Sequence, residues 1–221
     1  MNRTIAVVGG TGTQGRGLAY RFAAAGDQVI LGSRDAGRAG EKADEINQKL
    51  GNSAVSGAEN VAAIGSSDIV LLAVPWEGHA ALVTSLAESL TGKIVISCVN
   101  PLGFDKDGPY GLVLQESAAQ EAQRLVPAAR VVGAFHHVAA LSLWKTPDPL
   151  THEDVLVCGD DVEAKSVVQD LAVAVTGKRG IDAGNLRLAR QLEPLTAVLI
   201  SLNKRYKTRS GVAITGVGAS S

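Results

Sequence analysis

The chain has 221 residues, of which 46% are hydrophobic, and its formal net charge is −1. This length and composition allow a sizeable buried core, in one domain or in one domain with a small appendage. The near-neutral charge and the lack of a long basic stripe exclude a nucleic-acid protein held by phosphate contacts. No apolar run reaches the roughly 18 residues of a membrane span, and no secretory signal is visible, so we expect a cytoplasmic protein without membrane contacts.

The two cysteines, Cys98 and Cys158, each lie in an apolar run that is typical of a buried strand. We therefore expect small core residues rather than a disulfide bond or a metal site. No other grouping of residues suggests metal ligands, and none is predicted.

The first motif opens the chain. An apolar run at 5–8 leads into Gly10-x-Gly12-x-x-Gly15, and a helical pattern begins directly afterwards. In such a strand–turn–helix, Gly10 permits the sharp turn, Gly12 lets the main chain approach a pyrophosphate, and Gly15 lets the helix pack against the strand. The N-terminus of the helix then offers free N–H groups to the anion. The motif favours dinucleotide binding over a purely structural glycine turn.

The end of the second predicted strand, at 28–31, indicates which dinucleotide is bound. An NAD-selective site usually has Asp or Glu there for the ribose hydroxyl, whereas this chain has Gly32, Ser33 and Arg34, with Arg38 one turn later. A hydroxyl and two guanidinium groups suit a 2′-phosphate, which Arg binds through its planar fork. NADP is therefore favoured over NAD, and the alternative is an ordinary solvated basic turn.

The later elements alternate between strand and helix patterns. In chain order they are a helix at 36–50, a short strand at 53–56, a helix at 60–66, a strand at 68–74, a helix at 80–90, a strand at 93–99, a flap-like loop at 103–111, a helix at 117–125, strands at 130–134 and 154–158, a helix at 161–175, a strand at 178–182 and a long helix at 185–206. This order predicts an α/β, doubly wound Rossmann-type fold with a mainly parallel sheet and a small C-terminal helical part closing the cleft. We place the NADP-binding domain at 1–153 and the C-terminal part at 154–221.

Several strand ends should border the ligand crevice, because the carboxyl ends of parallel strands face it. They carry Val74-Pro75-Trp76, then Asn100-Pro101, then His136. Trp76 either covers the cofactor or packs in the core. His79, in the first turn of the next helix, is expected at the surface or as a cap.

Two neighbouring histidines, His136 and His137, follow the strand at 130–134. In an extended chain they point to opposite sides, so at most one of them should face the crevice. Ligand contact by His136 and a purely structural role both remain open.

The last helix has a leucine stripe with helical spacing, interrupted by Pro194, which predicts a kink. Its members are Leu188, Leu192, Leu195, Leu199 and Leu202. The stripe is either core or the face of a homodimer.

Taken together, these motifs resemble the coenzyme F420-dependent NADP reductases (F420H2:NADP+ oxidoreductases) along nearly the whole chain. The matching stretches are Val8 to Gly15, Gly32 to Arg34, Val74 to Glu77, Val157 to Asp161 and Asp182 to Gly184. The first stretch alone is generic to Rossmann proteins, but the combination in this order is more specific.

The resemblance implies roles for individual residues. It assigns Thr11, Gly12, Thr13 and Gln14 to the pyrophosphate, and it assigns Ser33, Arg34 and Arg38 to the 2′-phosphate. The residues that it implies around the nicotinamide and deazaflavin rings are Val74, Pro75, Trp76, Asn100, Pro101, His136, Val138 and Ala140.

The reaction implied by the resemblance is direct, reversible hydride transfer between F420 and NADP, so both partners are small-molecule cofactors. No acid or base is required, and His136 is the candidate if one acts. The alternative is an NADP-dependent reductase of a small imine or carbonyl compound, of the pyrroline-carboxylate or imine reductase kind. The short C-terminal part argues against this, because such enzymes add a longer helical domain. A redox-sensing NADP-binding protein without turnover is a third reading.

Overall fold

The computed structural model describes residues 3–217, which form an α/β protein. Its strands are β1 (Thr4–Val8), β2 (Gln28–Ser33), β3 (Val55–Glu59), β4 (Ile69–Leu72), β5 (Ile94–Ser97), β6 (Leu102–Asp105), β7 (Gly108–Gly111), β8 (Arg130–Gly133), β9 (Leu156–Gly159) and β10 (Ile181–Gly184). Eight of them form one sheet in the order β10-β9-β8-β5-β4-β1-β2-β3, and β6 and β7 form a separate hairpin.

The large sheet is mainly parallel, as predicted. Every pairing in it is parallel except that of β8 with β9. The chain leaves β1 toward β2 on one side and later returns to β4 on the other, which creates a topological switch point between β1 and β4. In doubly wound sheets the ligand crevice lies at the carboxyl ends of the strands that flank this point.

Helices cover both faces of the sheet. They are α1 (Thr13–Ala24), α2 (Ala36–Leu50), α3 (Asn60–Gly65), α4 (His79–Ser85), α5 (Ala87–Leu90), α6 (Ala118–Leu125), α7 (Ala140–Lys145), α8 (Val162–Leu171), α9 (Val173–Thr176) and α10 (Ala189–Tyr206), and a single 3-10 turn (Leu186–Leu188) precedes α10. One apolar core includes α1, α2, α7 and α8, and a second core on the opposite face includes α3, α4, α6 and the start of α10. The Rossmann-type fold with a C-terminal helix is therefore confirmed.

The prediction of a loop at 103–111 was wrong, because this segment belongs to the β6–β7 hairpin. Asp105 Oδ1 accepts hydrogen bonds from the N–H groups of Asp107 and Gly108, at 2.8 and 3.1 Å, and Gly108 has a φ of +124°. Such a carboxylate-capped turn reverses the chain within two residues. The turn-forming residues thus close a hairpin.

Smaller differences concern element bounds. The third strand lies at 55–59 rather than 53–56, and its sequence lacks the apolar run of a central strand because it is at the sheet edge. A Cβ at Gly57 would lie 2.3 Å from the main chain of Ala39, so helix α2 packs directly on this strand. The helix predicted at 80–90 is interrupted at Leu86, which separates α4 from α5.

The C-terminal part continues the same sheet from the β8 edge. Residues 210–214 return to the start of β9, where Asp154 N–H donates to Val212 O at 2.7 Å and Ile214 N–H donates to Asp154 Oδ2 at 2.8 Å. The division at 153/154 stays a prediction. Within residues 3–217, no helix is both long and apolar enough to cross a bilayer.

Candidate cofactor-binding site

The glycine turn joins β1 to α1 and leaves no room for a Cβ atom at Gly10 or at Gly15. Its left-handed residue is Gly9, with a φ of +80°, rather than Gly10, to which the sharp turn was assigned. A Cβ on Gly10 would lie 2.8 Å from Val7 O, and one on Gly15 would lie 2.8 Å from Gly9 O. At Gly12 the nearest atom, Gly9 O, would be 3.3 Å away. The turn is therefore packed on its inner side and open where Gly12 begins the helix.

Gly12 is the N-cap of α1 and provides no side-chain hydrogen bond to the helix. The first N–H groups of any α-helix lack partners within the helix, and here they belong to Thr13, Gln14 and Gly15. The first turn of α1 contains no acidic residue that would compete for them. Together with the helix dipole, this leaves a site suited to a phosphate group.

A cavity of about 410 Å³ runs from this turn along the ends of β1, β2 and β4. It brings together seven of the residues predicted to bind cofactor. They are Thr11, Gly12, Ser33, Arg34, Arg38, Val74 and Pro75.

The basic end of the cavity lies after β2. Arg34 and Arg38 form no ion pair with any acidic residue in the range 3–217. Asp35, the nearby acid, is occupied as the N-cap of α2 and accepts from the N–H of Arg38 at 3.1 Å. The Ser33 hydroxyl accepts from the N–H of Asp35 at 3.2 Å, so its proton is free to be donated. Two guanidinium groups and a hydroxyl donor are the chemistry that a 2′-phosphate requires.

Sequence reasoning missed Asn60, which lines the same cavity. Its Oδ1 is buried, has no hydrogen-bond partner in the described part of the chain, and lies 2.8 Å from where a Gly32 Cβ would be. This acceptor is available to a ribose hydroxyl or an amino group. Asn60 was missed because the third strand was predicted to end at residue 56. The strand in fact ends at Glu59, so Asn60 directly follows it.

Trp76 is not among the residues that line this cavity. Its indole stacks on the His79 ring, with 5.5 Å between centroids and 27° between planes, and it packs against the second core. The expectation that His79 is a surface or cap residue was wrong, since His79 is 1% exposed and its Nδ1 lies 2.6 Å from Glu121 Oε2. A contact between Trp76 and a cofactor stays a prediction.

The segment after β5 is hydrogen-bonded to the segment after β8. Asn100 Nδ2 donates to His136 O at 3.2 Å, and Asn100 Oδ1 is buried without a partner within residues 3–217. Pro101 lies instead beside a smaller cavity of about 180 Å³ between α10 and the segment that leads into α6.

Residues 135–138, which we call the ring-side loop, form a turn rather than extended chain. Phe135 has a φ of +63°, an uncommon conformation for a bulky residue. The Thr196 hydroxyl of α10 donates to His136 O at 3.0 Å, and Gln14 Nε2 donates to the carbonyls of Phe135 and Val138, each at 3.3 Å. Thr196 was not recognised from the sequence, because nothing in its own helix marks it.

Both histidines of the ring-side loop are buried, so the assumption that they point to opposite sides of an extended chain does not apply. Burial, together with the neighbouring His137, lowers the pKa of His136 to about 3, and neither of its ring nitrogens has a partner among the described residues. Burial also lowers the pKa of His137, whose Nε2 lies 2.7 Å from Leu192 O and donates to it. Both imidazoles are therefore neutral at physiological pH.

Ala140 begins α7, which packs tightly against α1. A Cβ on Gly17 would lie 2.8 Å from Leu143 Cβ and 3.3 Å from Ala140 O. This contact places the start of α7 next to α1.

Within residues 3–217 the two thiols are unreactive in character and no metal site is found. Cys98 and Cys158 are buried free thiols, and burial raises the pKa of each to about 12. No group of three or more potential metal ligands is found in the same range.

Comparisons with known proteins agree with this geometry. The model of the family described as coenzyme F420-dependent NADP oxidoreductases matches residues 4–101. The F420-dependent NADP reductase of Methanocaldococcus jannaschii is 41% identical, over 96% of this chain and 98% of its own length. That of Methanothermobacter thermautotrophicus is 37% identical, over 96% and 95%.

A solved structure agrees as well. The crystal structure of a candidate F420-dependent NADP-reductase from Arthrobacter sp. FB24 superposes with a TM-score of 0.80 at 31% identity, covering 96% of this chain and all of that one. The two curated relatives are thus matched over nearly their whole length, at 37% and 41% identity. The chain therefore belongs to the family of F420-dependent NADP reductases.

Proposed function

We propose that this protein transfers a hydride directly and reversibly between coenzyme F420 and NADP. The two cofactors supply the chemistry themselves, through the deazaflavin C5 and the nicotinamide C4. The observation that carries the proposal is the cavity that connects Arg34 and Arg38, which have no ion pair within residues 3–217, with the glycine turn and the switch point beside Val74. The full-length relatives support the choice of F420 as the second partner.

The protein's own contribution is to bind and to orient. The first turn of α1 offers N–H groups to the pyrophosphate, and Arg34, Arg38 and Ser33 select the 2′-phosphate. Val74 and Pro75, which follow β4 and line the cavity, and Asn100, which follows β5, would border the place where the rings meet. The ring-side loop and Ala140 would complete that border and exclude water.

No proton transfer by a side chain is needed in this scheme. His136 is neutral because its burial opposes a charge, so it would contribute shape rather than acid or base chemistry. The absence of a reactive thiol within residues 3–217 is consistent with a reaction that forms no covalent intermediate.

The test is to mix purified protein with NADPH and F420 and to follow the visible absorbance of oxidised F420. We expect bleaching that depends on protein and on NADPH, and recovery of the absorbance when NADP+ is supplied in excess to reduced F420. Tight NADPH binding without bleaching would refute the proposal. Turnover of small imines or carbonyl compounds without F420 would support the alternative, which the full-length relatives do not favour.

We further propose that residues 1–153 bind NADP and that residues 154–221 complete the F420 side of the cleft. The support is that α10 reaches the ring-side loop through Thr196 and the hairpin through Pro194. A fragment ending near residue 153 that retained F420 binding would contradict this division.

A homodimer is the proposed assembly. Apolar side chains remain exposed on α10 and on the hairpin, among them Val198 at 53%, Tyr206 at 66% and Phe104 at 68%. An exposed apolar surface of this kind often marks an interface. Light scattering should give twice the mass of the chain, and the substitution Val198→Glu should reduce it to one.

The proposed location is the cytoplasm. Cys98 and Cys158 are both free, which suits a reducing compartment. Fractionation of cells that produce the protein would test this, and recovery with secreted proteins would contradict it.

A further inference from the structure

The side chain of Gln14 contacts the ring-side loop, whereas its main chain belongs to the turn proposed to bind the pyrophosphate. The residue lies in the first turn of α1, where its main-chain N–H belongs to the phosphate-binding group. Its side-chain Nε2, however, lies 3.3 Å from Phe135 O and 3.3 Å from Val138 O, across 121 and 124 residues of sequence. One residue therefore contacts both the glycine turn and the ring-side loop.

The ring-side loop needs such support. Phe135 has a φ of +63°, and a non-glycine residue in this region persists only when its surroundings hold it there. Three of the loop's carbonyl groups accept hydrogen bonds from side chains elsewhere in the fold: Gln14, Asn100 and Thr196. A buried carbonyl that loses its donor is destabilising, so each of these contacts restrains the loop.

These three donors come from different parts of the molecule. Asn100 follows β5, and Thr196 lies within α10. Gln14 alone of the three belongs to the helix whose N-terminus is placed for the cofactor phosphates. The ring-side loop itself follows β8, beside the end of β5. Its residues are buried and do not line the cavity, so they lie beneath the carboxyl-terminal edge of the sheet, where the crevice is expected.

We propose that Gln14 is a positioning residue, whose side chain couples occupation of the phosphate site to the shape of the ring-side loop. The inference rests on the proposed function for the identity of the second cofactor. Phosphate bound to the main chain of the first turn restricts the backbone of Gln14. Through its amide the same residue restricts Phe135 and Val138. Binding of NADPH thus fixes the buried loop beneath the place proposed for the deazaflavin.

The substitution Gln14→Met tests this, because Met has a similar length and no N–H donor. The matched control is Gln48→Met, at an exposed position on α2 outside the site. The first measurement is amide hydrogen exchange of a peptide covering 134–140, with and without NADPH and in the absence of F420. In the unmodified protein and in the control we expect NADPH to slow this exchange, and in Gln14→Met we expect the effect to disappear.

The second measurement is equilibrium binding of each cofactor. For Gln14→Met we expect the Kd for F420 in the presence of NADP+ to rise about five- to tenfold, as the loss of about one net hydrogen bond predicts. The Kd for NADPH should stay within about twofold, because main-chain groups bind the phosphates. A general loss of structure would instead weaken the binding of both cofactors.

Two results would overturn the inference. A weaker NADPH Kd with unchanged F420 binding would mean that the Gln14 side chain serves the phosphate. Unchanged exchange and unchanged binding would mean that it serves neither. The exchange experiment uses NADPH alone, so it remains informative if the unmodified protein fails to reduce F420, which would refute the proposed function instead.

Discussion

The two sides of the crevice are built in different ways. The proposed phosphate side consists of two short continuous segments, the turn at 9–15 and the segment at 32–38, which lie at the ends of the neighbouring strands β1 and β2. The ring side is assembled from distant residues: His136 is held by Asn100, 36 residues earlier, and by Thr196, 60 residues later. The first side can thus form with its own supersecondary unit, whereas the second depends on the completed fold.

The largest expected effect concerns the phosphate side. We expect the double substitution Arg34→Ala with Arg38→Ala to lower kcat/KM for NADP by about 100-fold or more, because two charge-assisted contacts to the 2′-phosphate are lost. NAD, which lacks that phosphate, serves as the internal control and should change little. Steady-state kinetics with each dinucleotide measure the ratio. Equal losses of kcat/KM for NADP and NAD would refute the assignment of Arg34 and Arg38 to the 2′-phosphate. The phosphate side could then not be attributed to these neighbouring residues alone.

The next prediction concerns Arg21, a completely buried residue of α1 that contacts α7 and the segment after it. Its guanidinium donates to four carbonyl groups around the end of α7, those of Ser142, Leu143, Pro147 and Asp148. The substitution Arg21→Met leaves these carbonyls without their donor, and we expect the free energy of unfolding to fall by about 3 kcal/mol.

Denaturant unfolding measures this loss, and the control is Arg205→Met at the exposed end of α10. The control should change stability by less than about 0.5 kcal/mol. An equally small effect at Arg21 would mean that α7 is held by its apolar contacts with α1 alone.

A pH dependence is expected from Glu193, a buried carboxylate of α10 that accepts from the N–H groups of Ala118 and Ala119 at 2.8 and 3.0 Å. Burial raises its pKa from 4.5 to about 7, in spite of these two hydrogen bonds, and Glu121 adds to the rise. In this pH range the folded state therefore binds a proton that the unfolded state has lost. Its contribution to stability is present below about pH 4.5 and is lost as the pH rises to about 7, to an extent on the order of 3 kcal/mol.

The measurement is the difference in unfolding free energy between the unmodified protein and Glu193→Gln across this pH range. Gln keeps one acceptor oxygen and does not titrate, so the difference isolates the carboxylate. A difference that is flat with pH, or one that moves in the opposite direction, would contradict the assignment.

The contrast between the two sides also explains what could be predicted from the sequence. The fold, the glycine turn and the position of Arg34 and Arg38 at the same cavity were predictable, because each depends on neighbouring residues and on strand and helix periodicity. His79 was misjudged because its partner Glu121 lies 42 residues away on another helix. The side-chain contacts of Gln14 and Thr196 with the ring-side loop were missed for the same reason, since a helix sequence does not reveal which distant carbonyl a side chain will meet.

The smallest expected effect concerns the hairpin, which extends the ring side along α10. A Cβ on Gly111 would lie 2.5 Å from Pro194 Cβ, whereas one on Gly103 would meet the ring of Tyr110, which is nearly half exposed and able to move. Gly111→Ala should therefore lower the free energy of unfolding by about 1 kcal/mol, and Gly103→Ala by clearly less, because only the first displaces a packed helix. Thermal unfolding of the two variants in parallel measures the difference. If Gly103→Ala proved the more damaging, the hairpin would depend on its own cross-strand pair rather than on α10, and it would share the local construction of the phosphate side.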